Sequence, residues 1–380
     1  MTAINVPFFE YPRLWSDNRK ELLSIIDNIS ATGGFIMQQA VTNFETELAQ
    51  YASVDYSVGV GNATDGMEIF LEAIGVNKGD EIIISSHTML ATASAIKVAG
   101  GIPIPVDIGS DNLINIESIE NAITSNTVGI MPTQLNGRIC DMDAILAIAN
   151  KHSLFVVEDA AQGLMSTYKG EPLGSIGHIG CISFHATKNY QCGEGGAILL
   201  NDESFLQRAE FIREKGTNRV EFIEGKVELY RWIDIGSSYL PSELNAAFLF
   251  AQLESAKEVN DKRLSLWHEY NDRLSSFEKI NVQIIPDNLE HNAHTFFIKL
   301  KDIDERQAMI EHLKANKIES AFHYIPLHES KKCSMYNYFY GEDKYTTIDS
   351  ERLLRLPLHT NLDILDVKYV CNKVKEFFND

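Results

Sequence analysis

Between about residues 57 and 200, short apolar runs alternate with amphipathic stretches, the pattern of a parallel sheet covered by helices on both faces. The runs EIIIS (81–85), IPIPV (102–106), VGIMP (128–132), LFVVE (154–158) and AILL (197–200) predict strands. Met67, Phe70, Leu71 and Ile74 recur at i, i+3, i+4 and i+7, predicting a helix that ends with Gly75 as its C-terminal cap. Asp141 opens another helix, running through Ile145, Ile148 and Ala149 to His152. From 241 to 275 a helical pattern starts with Pro241 near its first turn and contains no internal glycine or proline, so one long helix bridging two domains is expected. We place the boundary near 250, giving a large domain over 1–250 and a smaller α+β unit over 251–380.

Composition narrows the class. A chain of 380 residues with 44% hydrophobic content can bury one large core and a second smaller one. The formal charge of −20 opposes nucleic acid and anionic membrane surfaces. Anionic small ligands remain compatible with it, because a pocket can supply backbone N–H groups and a few cations locally. The five cysteines (Cys140, Cys181, Cys192, Cys333, Cys371) form neither a C-x-x-C pair nor a regular framework and read as reduced thiols. No basic segment followed by an apolar stretch opens the chain, and no apolar run approaches the roughly 18 residues of a membrane span. Cytoplasmic residence is the expectation.

Three segments carry candidate chemistry. In GVGNATDGMEIFLEAIG (59–75), Gly, Asn, Thr and Asp stand directly before an amphipathic helix, with Asp65 and Glu68 spaced like a capping pair. Unpaired N–H groups and the positive end of the helix dipole can receive a phosphate there, aided by the Thr64 hydroxyl; an ordinary N-cap has the same composition. LFVVEDAAQG (154–163) ends an apolar run in Glu158 and Asp159, followed by Gln162. Ligands of open parallel sheets bind beyond the carboxyl ends of the strands, where an aspartate can keep a ring nitrogen protonated or merely cap the next helix. SFHATKNYQCGEGGAILL (183–200) sets Lys188 between two strand segments, before a glycine-rich turn. A lysine that loses its charge through desolvation can form a Schiff base, although most lysines are solvated surface groups. Phosphate cradle, ring-nitrogen acid and lysine come in that order, each at the same edge of one sheet.

With VVEDAAQG, SFHATKN followed by GEGGA, and EKGTNR with GSSYLPSELNAA, the chain resembles the sugar aminotransferases of the DegT and StrS type, and FHYIPLH and ERLLRLPL look like the subgroup making dTDP-4-amino-4,6-dideoxygalactose. The resemblance implies an α/β aspartate aminotransferase-like fold (fold type I), with a mixed, mostly parallel seven-stranded sheet plus the smaller C-terminal domain. It implies pyridoxal 5'-phosphate (PLP) as cofactor and pyridoxamine phosphate as its intermediate form. It also implies L-glutamate and a nucleotide-linked keto-deoxy sugar as substrates, the subgroup motifs pointing to a dTDP-4-keto-6-deoxyhexose for surface polysaccharide such as O-antigen, and a homodimer with shared active sites. By motif, Lys188 carries the cofactor and Asp159 pairs with its ring nitrogen. Gln162 lies against the ring or its hydroxyl, Thr64, the Asp65 amide and Ser183 hold the phosphate, and Glu194 faces the sugar.

Three departures from the family pattern matter. Where relatives place an aromatic after a threonine to stack on the ring, this chain has Thr88-Met89 preceded by His87, so Met89 or His87 must cover it. Leu240 replaces the asparagine that relatives contribute to the partner's cofactor phosphate, leaving Ser237 or Ser238 as substitutes. The frequent L-Y-G loop reads Leu135-Asn136-Gly137. Arg213, Lys215 and Arg219 are either a receiver for the sugar's pyrophosphate or a solvated helix end. His323 and Tyr324 are expected near the mouth of the site, and the His323–His328 spacing across Pro326 does not suit a metal. Rival readings are amination at C3, a PLP-dependent sugar dehydratase, against which Lys188 speaks because those relatives carry histidine there, and a non-catalytic regulator that keeps the fold.

Overall fold

A computed structural model describes residues 5–286, 289–334 and 338–379. Seven strands form the main sheet: β1 (Tyr56–Val60), β2 (Glu81–Ser85), β3 (Ile102–Val106), β4 (Thr127–Met131), β5 (Phe155–Asp159), β6 (Ile179–Ser183) and β7 (Gly196–Leu200). Their order is β1-β7-β6-β5-β4-β2-β3. Only β7 runs antiparallel to its neighbours. β6 and β7 are buried at every residue, as helices on both faces require. The five runs singled out from the sequence each coincide with a strand to within one residue, whereas β1 and β6 were not among them. In β6 the apolar pattern is interrupted at Gly180, where an added Cβ would stand 2.1 Å from the Gly174 carbonyl oxygen, so close packing demands glycine in mid-strand.

Register brings the sheet's chemistry to one edge. Gly196, the first residue of β7, pairs with Val60 at the end of β1 and with Ser183 at the end of β6. Asp159, the last residue of β5, pairs with Cys181. The helix Ala63–Ala73 follows β1 directly and turns its Met67, Ile69, Phe70 and Leu71 into the core. It ends as its pattern predicts: Gly75 takes φ +80° and the Val76 amide reaches back to the Leu71 carbonyl. Its start differs from expectation. The N-cap is Asn62, whose Oδ1 accepts from the Asp65 amide at 2.9 Å, so Asp65 and Glu68 are not a capping pair. The Asp141 cap is found, accepting from the Ala144 amide at 3.1 Å.

The long helix expected over 241–275 is two helices, Glu243–Leu253 and Ala256–Leu274. Ser242 caps the first, so Pro241 lies outside it. The break at Glu254–Ser255 needs no glycine or proline, because Tyr51 donates to the Leu253 carbonyl at 2.8 Å and Tyr190 to that of Ala256 at 2.8 Å. Two hydroxyls satisfy acceptors beside the break.

A second sheet contains β8 (Asn281–Val282), β9 (Phe296–Lys299), β10 (Ala321–Phe322) and β11 (Leu353–Leu356) in the antiparallel order β8-β9-β11-β10. Its core joins Leu266, Trp267 and Tyr270 of the second helix to Phe296, Leu354, Val367 and Val370. Val6 belongs to this core too, its amide bonding the Lys317 carbonyl at 2.9 Å, so the start of the chain packs with the C-terminal unit. Among the described residues, no helix is long and apolar enough to cross a membrane.

Candidate active site

A cavity of about 660 Å³ lies at the carboxyl edge of the main sheet, and Thr64, Asp65, Met89, Asp159, Gln162, Ser183, Lys188, Glu194 and Tyr324 all border it. Residues more than 250 positions apart in the sequence meet there because β1, β5, β6 and the turn before β7 end side by side, while the small unit closes the opposite wall.

Lys188 is held by the turn between β6 and β7. Burial pushes its ammonium down to about 8; the nearby Arg355 cation acts in the same direction and Asp159 opposes both. The neutral amine is therefore accessible near neutrality, the state a nucleophilic lysine needs. Asp159 is buried and held on both carboxylate oxygens. Oδ2 accepts from Thr92 at 2.7 Å and Thr133 at 3.5 Å, and Oδ1 accepts from the Ala161 amide at 3.3 Å. Thr88 joins these two threonines, 3.1 Å from one hydroxyl and 2.9 Å from the other. The carboxylate can still receive a hydrogen bond from a cationic ring N–H. Gln162 is oriented from behind: its Oε1 accepts from the Asn136 amide at 2.6 Å, which gives the Leu135-Asn136-Gly137 loop a role in placing it. Asn136 takes φ +64° to do so.

At the phosphate end, Gly196 has a steric duty. A Cβ on it would lie 2.4 Å from the Asn62 carbonyl carbon and 2.5 Å from the Ala63 nitrogen, so only glycine lets the helix start rest against β7. The Asp65 amide is engaged by Asn62, leaving the first amides of the helix and the Thr64 hydroxyl as donors. Glu194 borders the cavity at its exposed side, 3.6 Å from His185.

Three expectations need correction. His87 is fully buried and stays off the cavity wall. Its Nε2 lies 2.8 Å from the His323 carbonyl oxygen and 3.0 Å from the Tyr324 amide, serving one or the other according to tautomer. Burial pushes its pKa down to about 4, so the ring is a neutral support behind the wall. Met89, 44% exposed, is the member of the pair that borders the cavity. His323 likewise is buried and uncharged and stays off the cavity wall, while Tyr324 borders the cavity; the two rings stand edge to face with their centroids 3.5 Å apart. Arg219 does not reach the cavity. It and Lys215 both pair with Glu214 at 3.0 Å, and buried Arg213 pairs with Glu45 at 2.6 Å and the Gly59 carbonyl, so all three cations are engaged within the chain.

The sequence reading missed Arg355, which comes from β11 to the cavity wall. The available signal was a charge inside the apolar run LLRLPL, since an arginine seldom enters such a run without a purpose.

The family model described as the DegT/DnrJ/EryC1/StrS aminotransferase family matches residues 16–375. The chain belongs to this family. Among curated relatives, a pleiotropic regulatory protein of Geobacillus stearothermophilus is 30% identical, with 99% of each chain covered. The dTDP-3-amino-3,4,6-trideoxy-alpha-D-glucose transaminase of Streptomyces venezuelae is 28% identical over 98% of this chain and 96% of its own. The crystal structure of S. venezuelae DesV in complex with a ketimine intermediate superposes with a TM-score of 0.91 at 27% identity, covering 99% of each chain. Members of the family with this fold thus include sugar aminotransferases, and the mixed sheet described above is their architecture.

Proposed function

We propose that this protein is a PLP-dependent aminotransferase that moves an amino group from L-glutamate to the ketone of a nucleotide-linked deoxy sugar. The observation that carries the reading is the pairing of a half-buried Lys188, its charge disfavoured by desolvation, with a fixed Asp159 across one cavity. The donor set fits PLP: an amine for its aldehyde, a carboxylate for its ring nitrogen, and a helix start with hydroxyls for its phosphate. When bound, PLP supplies an electron sink for the carbon that gains or loses the amine. Lys188 moves a proton to and from that carbon, and Asp159 holds the proton on the ring nitrogen. Thr64 and Ser183 anchor the phosphate, Gln162 and Met89 fix the plane of the ring, and Glu194 and Tyr324 face the sugar.

Amination at C4 of a dTDP-linked 4-keto-6-deoxyhexose rests on the subgroup motifs; the relative named above makes a 3-amino sugar, which keeps C3 as the rival. The proposed assembly is a homodimer in which the exposed Ser237 and Ser238 reach the partner's phosphate in place of the asparagine that Leu240 displaces.

The test uses purified protein incubated with PLP, L-glutamate and a panel of dTDP-, UDP- and GDP-linked 3- and 4-keto sugars, with products identified by mass spectrometry and NMR. The visible band of the bound cofactor should be lost on adding L-glutamate and return with the correct sugar. Lys188→Ala should reduce turnover at least ~10⁴-fold, because it removes both the attachment point and the proton carrier. A protein that takes up no PLP and shows no spectral response would instead be a regulator, as the Geobacillus relative is named.

A further inference from the structure

A second cavity of about 660 Å³ shares no lining residue with the active site. Residues 110–113 and 138–139 form one wall; Phe297 and Lys299 of β9 and the helix Thr346–Arg352 form another. Three cations meet there. Arg138 is only 8% exposed, and among the described residues its guanidinium makes one hydrogen bond, to the Asp111 carbonyl oxygen. Arg352 donates through Nε to the Leu300 carbonyl at 2.6 Å, and the Leu300 amide donates to the Arg352 carbonyl at 3.0 Å, which fixes this residue where the helix joins β11. Burial pushes the Lys299 ammonium down; Asp349 opposes this, and Arg138 and Arg352 both add to it, so the three cations share one field.

The acids of the cavity do not balance them. Buried Asp349 accepts through Oδ2 from Lys299 at 2.8 Å and from Asn112 at 3.0 Å. Burial disfavours the charge of Arg138 and Asp111 offsets this only in part, its Oδ1 accepting from the Leu113 amide at 3.1 Å. The wall carries Arg138, Lys299, Lys344 and Arg352 against Asp111 and Asp349, an excess of two positive charges in a chain whose net charge is −20. Holding like charges together away from water is costly unless an anion joins them.

We propose that this cavity binds an organic phosphate and that the bound ligand acts on the active site from behind. Charge decides the head group. A phosphate dianion offers three acceptor oxygens and answers two guanidinium groups at once, whereas a monocarboxylate leaves one of them uncompensated. The remaining wall decides the body: exposed Tyr345 and Ile348 border the same space, whose volume suits a small molecule and exceeds what a bare phosphate fills. Connectivity supplies the coupling. The Arg138 amide bonds the Leu135 carbonyl at 3.1 Å, closing a turn in which the Asn136 amide donates to Gln162 Oε1 at 2.6 Å. A ligand held by the Arg138 guanidinium therefore acts on the turn that orients Gln162 in the active site.

The test uses full-length PLP-loaded protein freed of excess cofactor, so that the phosphate cradle is occupied, at constant ionic strength and a pH of about 7.5, where a phosphate monoester is a dianion. Calorimetry compares phenyl phosphate, inorganic phosphate and benzoate on wild type, R138Q, R138K, R352Q and K226Q; Lys226 is exposed and borders neither cavity. Phenyl phosphate should bind the wild type at one site, at least ~10-fold more tightly than benzoate. R138Q and R352Q should each raise its Kd at least ~10-fold, R138K should recover part of the loss, and K226Q should change it less than ~2-fold. Phenyl phosphate binding more tightly than inorganic phosphate assigns the site to an ester; equal affinities assign it to free phosphate. Saturating phenyl phosphate should alter the rate at which hydroxylamine bleaches the visible band of bound PLP by at least ~3-fold in the wild type and not in R352Q. No saturable binding, or a Kd that both R138Q and R352Q leave unchanged, overturns the site, and R352Q alone decides if R138Q does not fold. An unchanged bleaching rate overturns the action on the active site. Neither readout requires transamination, so failure here leaves the transaminase reading untouched.

Discussion

At the scale of single residues, Lys188 is the group whose chemistry the fold changes most. Its folded pKa of about 8 lies below the ordinary 10.5, so between these values the unfolded chain binds more protons than the folded one. The contribution of this group to stability therefore increases as pH rises from about 8 to 10.5, and below 8 its penalty is fully present. The same shift sets reactivity: uptake of PLP by the apoprotein, followed by absorbance, should accelerate with pH around a midpoint near 8. Arg355→Gln should move that midpoint upward by removing a neighbouring cation. A midpoint near 10.5 in the wild type would show that the amine is solvated. Lys188 and Asp159 could be picked out from sequence because each sits at or just beyond the end of an apolar run, and those runs end at the same edge of the sheet. His87 and His323 were misplaced for an equally physical reason. Sequence proximity to the site does not say which rings reach its wall, and both are buried without bordering the cavity. Arg355 was hidden because strand periodicity describes where apolar residues go and is silent about a lone charge that the second sheet delivers.

At the scale of elements, apolar runs gave the strands wherever Ile, Val and Leu dominate, as in EIIIS and AILL. They missed Ile179–Ser183, where close approach of the Gly174 backbone demands glycine. The helix break at Glu254–Ser255 was invisible for a different reason: the hydroxyls that satisfy its carbonyls belong to Tyr51 and Tyr190, far away in sequence. Gly196 offers the sharpest test of how the elements fit. Alanine there would place a Cβ 2.4 Å from the Asn62 carbonyl carbon, forcing the helix start away from β7. Gly196→Ala should lower stability by about 1–3 kcal/mol, read from the midpoint of urea unfolding. It should also weaken PLP uptake more than a core substitution of equal cost, because the displaced backbone is the phosphate cradle. An unchanged midpoint would mean that the helix and strand are not in contact.

At the scale of the whole molecule, one stretch of surface is out of character for a chain with a net charge of −20. Leu229, Tyr230, Trp232, Ile233 and Ile235 are all exposed, Trp232 at 81%, and they lead directly into the exposed Ser237 and Ser238. Contiguous exposed apolar groups of this size mark an interface more often than free surface. Isologous pairing of two copies would bury them and carry the serines toward the partner. The sequence hinted at this through the Leu240 departure, but could not tell that the preceding residues stay outside the core. Charge placed at the centre of such a patch is costly once water is excluded, so Trp232→Glu should convert a dimer into a monomer in light scattering at micromolar concentration. The monomer should keep its fold, because Trp232 packs against little within its own chain, yet hold PLP more weakly, since the partner's hydroxyls would be missing. Two outcomes oppose the arrangement: a wild type that is already monomeric, or a monomeric variant whose affinity for PLP equals that of the parent.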